Sequence, residues 1–168
     1  MLVVLSDTHG RDDPRLEGRT REAVDAADIV VHAGDFCTEP VLDAFEARCD
    51  LRAVHGNNDT PGVRERIPAE RVVEWAGLGV AVAHGHDHTD VALTMFARQS
   101  AADLVVVGHS HRPGFEAGGA SGIPRLNPGS HADPRRYRPA HAELRRDGEG
   151  YAGRIVQPDG TLVESFRL

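Results

Sequence analysis

Lysine is absent: all 19 basic residues of this 168-residue chain are arginine. A GC-rich genome produces that bias, whereas a salt-adapted surface would carry more than the formal net charge of −7. With 26 acidic side chains against 19 basic ones, the surface is unsuited to broad binding of nucleic-acid backbones or anionic membranes, which need a basic face. A small anionic substrate is not excluded, because bound cations invert the local charge. Cysteine is limited to Cys37 and Cys49, which excludes a disulfide scaffold and predicts free thiols. Aromatics make up only 5% of the chain, so Val, Ala and Leu must build the core. No apolar run approaches the length of a membrane span, and Met1 is followed by apolar Leu2 with no basic leader. The expectation is a cytoplasmic, reduced protein forming one domain over 1–168, long enough to bury a core without staples.

What is present alternates. Short apolar runs at 2–6, 29–32 and 51–54 are separated by helical patterns at 20–27 and 39–48. That order predicts βαβ units and a largely parallel sheet. Residues 71–75 and 80–83 flank a turn at 76–79 and read as a hairpin. A helix is expected over 89–99, capped by Thr89 or Asp87, then a buried strand over 103–107. Beyond Pro113 come short strands at 114–117, 123–126, 142–145, 151–156 and 162–166. A Gly-rich turn, an Asn127-Pro128-Gly129-Ser130 loop and the turns Asp147-Gly148 and Asp159-Gly160 punctuate them. A second, mixed or antiparallel sheet is expected.

One arrangement recurs. Each early strand ends in a turn that carries Asp, Asn or His: Asp7 and His9, Asp35, Asn57, His84, then His109 and His111. Ligands of open α/β sheets gather outside the carboxyl ends of the strands, so strands lying side by side would bring these seven side chains to one rim. Imidazole nitrogens mixed with carboxylate and amide oxygens suit Mn, Fe, Zn, Co or Ni better than Ca. The donors are too many for one tetrahedral ion. Two ions sharing a carboxylate use them, and Asp35 follows the middle strand, where a bridge belongs. Singly the motifs are ordinary: Gly34-Asp35 is a turn and Gly56-Asn57-Asn58-Asp59 a good loop. Gly108-His109-Ser110-His111 is stronger, since alternate His residues can face the same ion. Five such turns in order, each after an apolar strand, are far more specific.

Asp7-Thr8-His9, Gly34-Asp35, Gly56-Asn57, His84 within Ala83-His84-Gly85-His86, and Gly108-His109-Ser110-His111 together resemble the calcineurin-like metallophosphoesterases, especially their small single-domain phosphodiesterases. The Asn127-Pro128-Gly129-Ser130 loop extends the likeness. The resemblance implies a four-layer α/β/β/α sandwich: two mixed sheets flanked by helices. It implies one divalent ion on Asp7, His9 and His111, a second on Asn57, His84 and His109, and Asp35 bridging both, with manganese favoured. It implies hydrolysis of small phosphodiesters or nucleotides by a metal-bridging hydroxide, with a homodimer as one assembly and neither nucleic acid nor membrane as a stable partner. The same fold also serves as a protein-binding scaffold in retromer, with an incomplete metal set; all seven ligand types are kept here. Many relatives carry His where this chain has Asn58, which cannot act as a general acid but can hydrogen-bond a phosphate oxygen. Asp59 is positioned to orient Asn58 or a nearby His. His32 and His55 read as structural, His86 and His88 as supporting the ligands, Cys37 as a buried thiol, and His131 and His141 as surface. The Arg135, Arg136 and Arg138 cluster is either a solvated loop or a lure for an anionic substrate.

Overall fold

In the computed structural model, which describes residues 1–118 and 122–168, the first expectation is met at once. β1 (Leu2–Leu5), β2 (Ile29–His32) and β3 (Leu51–Ala53) are parallel neighbours, joined through α1 (Gly18–Asp25) and α2 (Glu39–Glu46). A helix not expected from the sequence, α3 (Pro61–Arg66), follows β3. Its signal was available: Thr60 caps it by accepting from the Val63 N–H, and Pro61 opens its first turn.

β4 (Glu70–Trp75) and β5 (Leu78–Ala83) form the expected hairpin. Its turn is tighter than 76–79, with Ala76 and Gly77 both at positive φ, the geometry of a two-residue turn between twisted strands. α4 (Asp90–Gln99) is capped by Thr89 rather than Asp87, and β6 (Leu104–Val106) pairs parallel to β5. β7 (Gly114–Glu116) and β8 (Arg125–Asn127) complete a five-stranded sheet in the order β4-β5-β6-β8-β7. Part of the Gly-rich turn expected between them, residues 119–121, lies outside the described residues.

The last strands depart from the simplest reading. β9 (His141–Asp147), β10 (Gly150–Val156) and β11 (Leu162–Arg167) join the first sheet, whose order is β11-β10-β9-β1-β2-β3. β9 lies antiparallel to β1, so it covers an edge that β1 would otherwise leave with unpaired backbone groups. Alternation along β1 shows the layering. Leu2 and Val4 face the second sheet, among Val80, Leu104 and Leu126. Val3 and Leu5 face the helices, among Val24, Leu42 and Phe45. On the far side Ala81 and Val105 pack on Leu93 and Ala97 of α4. The architecture is the four-layer α/β/β/α sandwich. The carboxyl ends of β1, β2 and β3 and those of β5, β6 and β8 come from different sheets and face one another.

Candidate metal centre

All seven expected side chains meet in that cleft. Asp7, Asp35, His84 and His111 are buried, His9 is partly buried, and Asn57 and His109 are exposed, so the cleft opens on the side of the last two. Two overlapping groups have donor atoms close enough to hold a metal ion: Asp7, His9 and His111, and Asp7, Asp35 and His84. The His9 and His111 Nε2 atoms are 3.2 Å apart. Asp35 Oδ2 lies 3.4 Å from His9 Nε2 and 3.3 Å from His84 Nε2, between the two groups. His109 Nδ1 and Asn57 Oδ1 are 3.1 Å apart at the open side.

Backbone geometry aims these groups. Asp7, His9, Asp35, His109 and His111 all have positive φ. Non-glycine residues adopt that conformation at a cost of about 1–3 kcal/mol each and keep it only where the surroundings enforce it. The enforcement is visible. The Asp7 N–H donates to Gly34 O and the His9 N–H to Asp35 O, tying the β1 turn to the β2 turn. Gly56 must lack a side chain, since a Cβ there would lie 2.2 Å from Asp35 Oδ1; at Gly108 it would lie 1.9 Å from Ser6 Oγ.

Outer partners fix each ligand's tautomer and reach. The His84 Nδ1–H donates to Ala33 O at 2.7 Å, and the His111 Nδ1–H donates to Asp133 O. Each ring then directs its Nε2 lone pair at a carboxylate, His84 at Asp35 and His111 at Asp7 Oδ1, 3.2 Å away. Ser6 Oγ–H donates to Asp7 Oδ2, while Asp7 Oδ1 and His84 Nε2, both buried, have no hydrogen-bond partner among the described residues. Acceptor facing acceptor in a buried site is unfavourable unless a proton or a metal cation lies between them. Protons respond to the same field. Burial opposes charge on His9, yet the Asp7 carboxylate beside it, the Cys37 sulfur and the nearby Asp35 push its pKa up to about 10. Burial likewise opposes charge on His84, and Asp35 overcomes it and raises that pKa. Asp35 is held well below the usual carboxylate range: burial acts against this, and His84 and then Asn58 outweigh it. A donor set that draws protons this strongly fits a divalent cation.

Residues beyond the seven do work that the sequence hid. Asp59 does not orient Asn58 or a histidine. Its carboxylate accepts from the backbone N–H groups of Asp35 (3.0 Å), Gly56 (2.7 Å) and Cys37 (2.7 Å), binding the β2 and β3 turns together. Asn58 donates to Asp35 through both its backbone N–H and its side-chain amide, at 2.8 and 2.7 Å. Ser130, in the Asn-Pro-Gly-Ser loop, donates to Asp7 O at 2.6 Å, and Asn127 Nδ2 donates to Gly108 O at 2.8 Å. Cys37 Sγ is 3.4 Å from His9 Nδ1 and so touches a ligand from behind. His32 is structural as expected: its Nδ1 accepts from the Gly34 N–H, so its Nε2–H donates to Thr8 Oγ1. His86 stands beside His84 and His109 without entering either group.

His131 and His141 are not on the surface. Both are buried, the first donating to Pro14 O and the second set between Thr20 Oγ1 and Glu143. His131, in the loop between β8 and β9, meets the segment before α1, and His141, at the start of β9, meets Thr20 of α1, contacts that sequence periodicity does not report.

The calcineurin-like phosphoesterase superfamily domain matches residues 1–145. A probable metallophosphoesterase of Methanothermobacter thermautotrophicus is 27% identical over 100% of this chain and 98% of its own. A phosphodiesterase of Methanocaldococcus jannaschii is 29% identical over 76% of this chain and 82% of its own. Among solved structures, a predicted phosphoesterase from Streptococcus pneumoniae is 25% identical with a TM-score of 0.77, covering 99% of this chain and 95% of the other. Vacuolar Protein Sorting 29 from Cryptosporidium parvum shares the fold, with a TM-score of 0.81 at 17% identity over 99% of this chain and 96% of the other.

Proposed function

The chain belongs to the calcineurin-like phosphoesterase superfamily, and from that premise we propose that it is a two-metal phosphodiesterase acting on small phosphodiesters or nucleotides. The observation that carries the proposal is the set of buried lone pairs aimed at carboxylates in the cleft, with Asp7 Oδ1 and His84 Nε2 lacking any other partner among the described residues. Asp7, His9 and His111 would hold one ion, Asn57, His84 and His109 the other, and Asp35 both. The mixed nitrogen and oxygen donors favour manganese, with Fe, Zn, Ni or Co as substitutes. Such ions supply a hydroxide nucleophile at neutral pH and a clamp for the phosphoryl oxygens.

The chain's own side chains then set the substrate range. Asn58, exposed at the open side, can donate an amide hydrogen to a phosphate oxygen but cannot protonate a leaving group. Diesters with good leaving groups need little protonation, so they suit this site better than alkyl monoesters. The name of the Methanocaldococcus jannaschii relative supports the diester preference. No helix among the described residues is long and apolar enough to cross a membrane.

The rival reading is a protein-binding scaffold, supported by the fold shared with Vacuolar Protein Sorting 29. One experiment separates the two: metal analysis of the protein, joined to assays of mono- and diesters with added Mn and with chelator. Chelator-sensitive hydrolysis with two ions per chain is expected. Two bound ions without hydrolysis of any ester would favour the scaffold.

A further inference from the structure

A groove of about 650 Å³ runs from Gly108 and His109 at the metal centre toward Phe115 and Tyr137. A phosphate group alone leaves most of such a volume empty, while a drug-sized organic group fills it. Its walls are aromatic and polar. The Phe115 ring is held by stacking on Phe166, with centroids 4.2 Å apart, and the Tyr137 ring is backed by the Arg136 guanidinium at 5.3 Å. Glu164 accepts from the Phe115 N–H, which fixes a carboxylate in the groove. Ser110 Oγ already accepts from Asn127 Nδ2 and the Arg112 N–H, so its hydroxyl proton is available to a ligand.

Charge narrows the occupant. Arg125 is paired with Asp90 and Glu116, whereas the Arg112 guanidinium has no hydrogen bond or ion pair among the described residues. Asp90, Glu116 and Glu164 against Arg112 and Arg125 leave the groove without the basic track that a polynucleotide requires. A single phosphate at the His109 end, carrying a neutral arm with a planar ring and hydroxyls, matches every wall.

We propose that this groove binds the nucleoside arm of a nucleoside phosphodiester, with Tyr137 stacking on the base and Arg112 beside the phosphate. The proposal rests on the phosphodiesterase reading above. It makes Tyr137 the residue that selects the nucleoside, and Arg112, next to His111, a residue that binds the phosphate common to all diesters.

The test compares two esters with the same leaving group, thymidine 5′-(p-nitrophenyl phosphate) and bis(p-nitrophenyl) phosphate, on the Mn-loaded protein. The wild type should favour the thymidine ester in kcat/KM. Tyr137→Ala should cut that preference by about 10-fold, chiefly through KM, and Tyr137→Phe should restore it, since stacking needs the ring and not the hydroxyl. Arg112→Gln, which loses no partner within the described protein, should raise KM for both esters about 5-fold and leave the preference between them unchanged. On the metal-free protein, saturation-transfer NMR should detect the thymine ring protons of the same ester, more weakly with Tyr137→Ala. Hydrolysis of both esters with a preference indifferent to Tyr137 overturns the groove assignment alone. Hydrolysis of neither ester overturns the phosphodiesterase reading and the groove with it.

Discussion

Five of the seven proposed ligands sit in left-handed backbone conformations, and the neighbouring turns hold them there. Strain of this kind is tolerated where it positions groups for chemistry. Asp35 is the most connected: its carboxylate meets His9, His84 and Asn58. Asp35→Asn should therefore remove most bound metal from both positions, while His9→Ala should weaken one more than the other; elemental analysis and calorimetric titration with Mn will measure both. A protein that binds at most one ion under metal-replete conditions sinks the bridging role. Asn58 predicts a steep dependence on leaving-group pKa. Asn58→His should flatten it by helping poor leaving groups most, within the roughly 10²- to 10⁴-fold range of a well-placed general acid and well below its top, because the new ring lacks a tuned partner. A flat dependence already in the wild type would mean another group donates the proton, with His86 the first to examine.

Turns between elements carry as much of the site as the strands do. The β2 and β3 turns share one clamp, the Asp59 carboxylate with its three backbone donors. Asp59→Ala should destabilise the fold by about 2–4 kcal/mol, because buried N–H groups lose their acceptor. It should also loosen metal binding through Asp35. Thermal melting of the metal-free protein and Mn titration separate the two effects; an unchanged melting temperature would show that water replaces the carboxylate. Gly108→Ala drives a methyl into Ser6 and Asp7, at the join between the two sheets. It should reduce metal content even if the chain folds, which elemental analysis of the purified variant will show.

Buried histidines give the molecule as a whole a pH dependence. Burial holds His32, His131 and His141 below the ordinary histidine range, His131 at about 4. Their folded-state pKa values are depressed, so below about pH 6.5 the unfolded chain takes up protons that the folded chain refuses. Stability should fall as pH drops from about 6.5 toward 4, with His131 alone contributing about 3 kcal/mol at roughly 1.4 kcal/mol per pH unit. His9 acts in the opposite sense in the metal-free protein. Its raised pKa gives stability that is complete below about 6.5 and is lost as pH climbs toward 10. Urea midpoints of the metal-free protein across pH 4–10 should peak near neutrality, and His131→Gln should flatten the acid limb. An acid limb unmoved by that change would place the titration elsewhere.

The order of strands and turns, and the Asp, Asn and His types at their ends, were legible because they depend on local pattern alone: apolar runs make strands, and glycine with polar residues ends them. The seven-residue set and the four-layer architecture followed from that order and from the family likeness. Local pattern could not show that β9 would pair with β1, because strand pairing is decided by contacts more than a hundred residues apart. The same distance hid the burial of His131 and His141, while the groove beside His109 and the work of Asp59 were hidden because each depends on separate turns meeting in space. An aspartate in a Gly-Asn-Asn-Asp loop looks like turn chemistry until a second turn brings it backbone donors. Only the facing of two sheets brings the β1, β2 and β3 turns against those of β5 and β6, and the need for a cation arises from that convergence of charge.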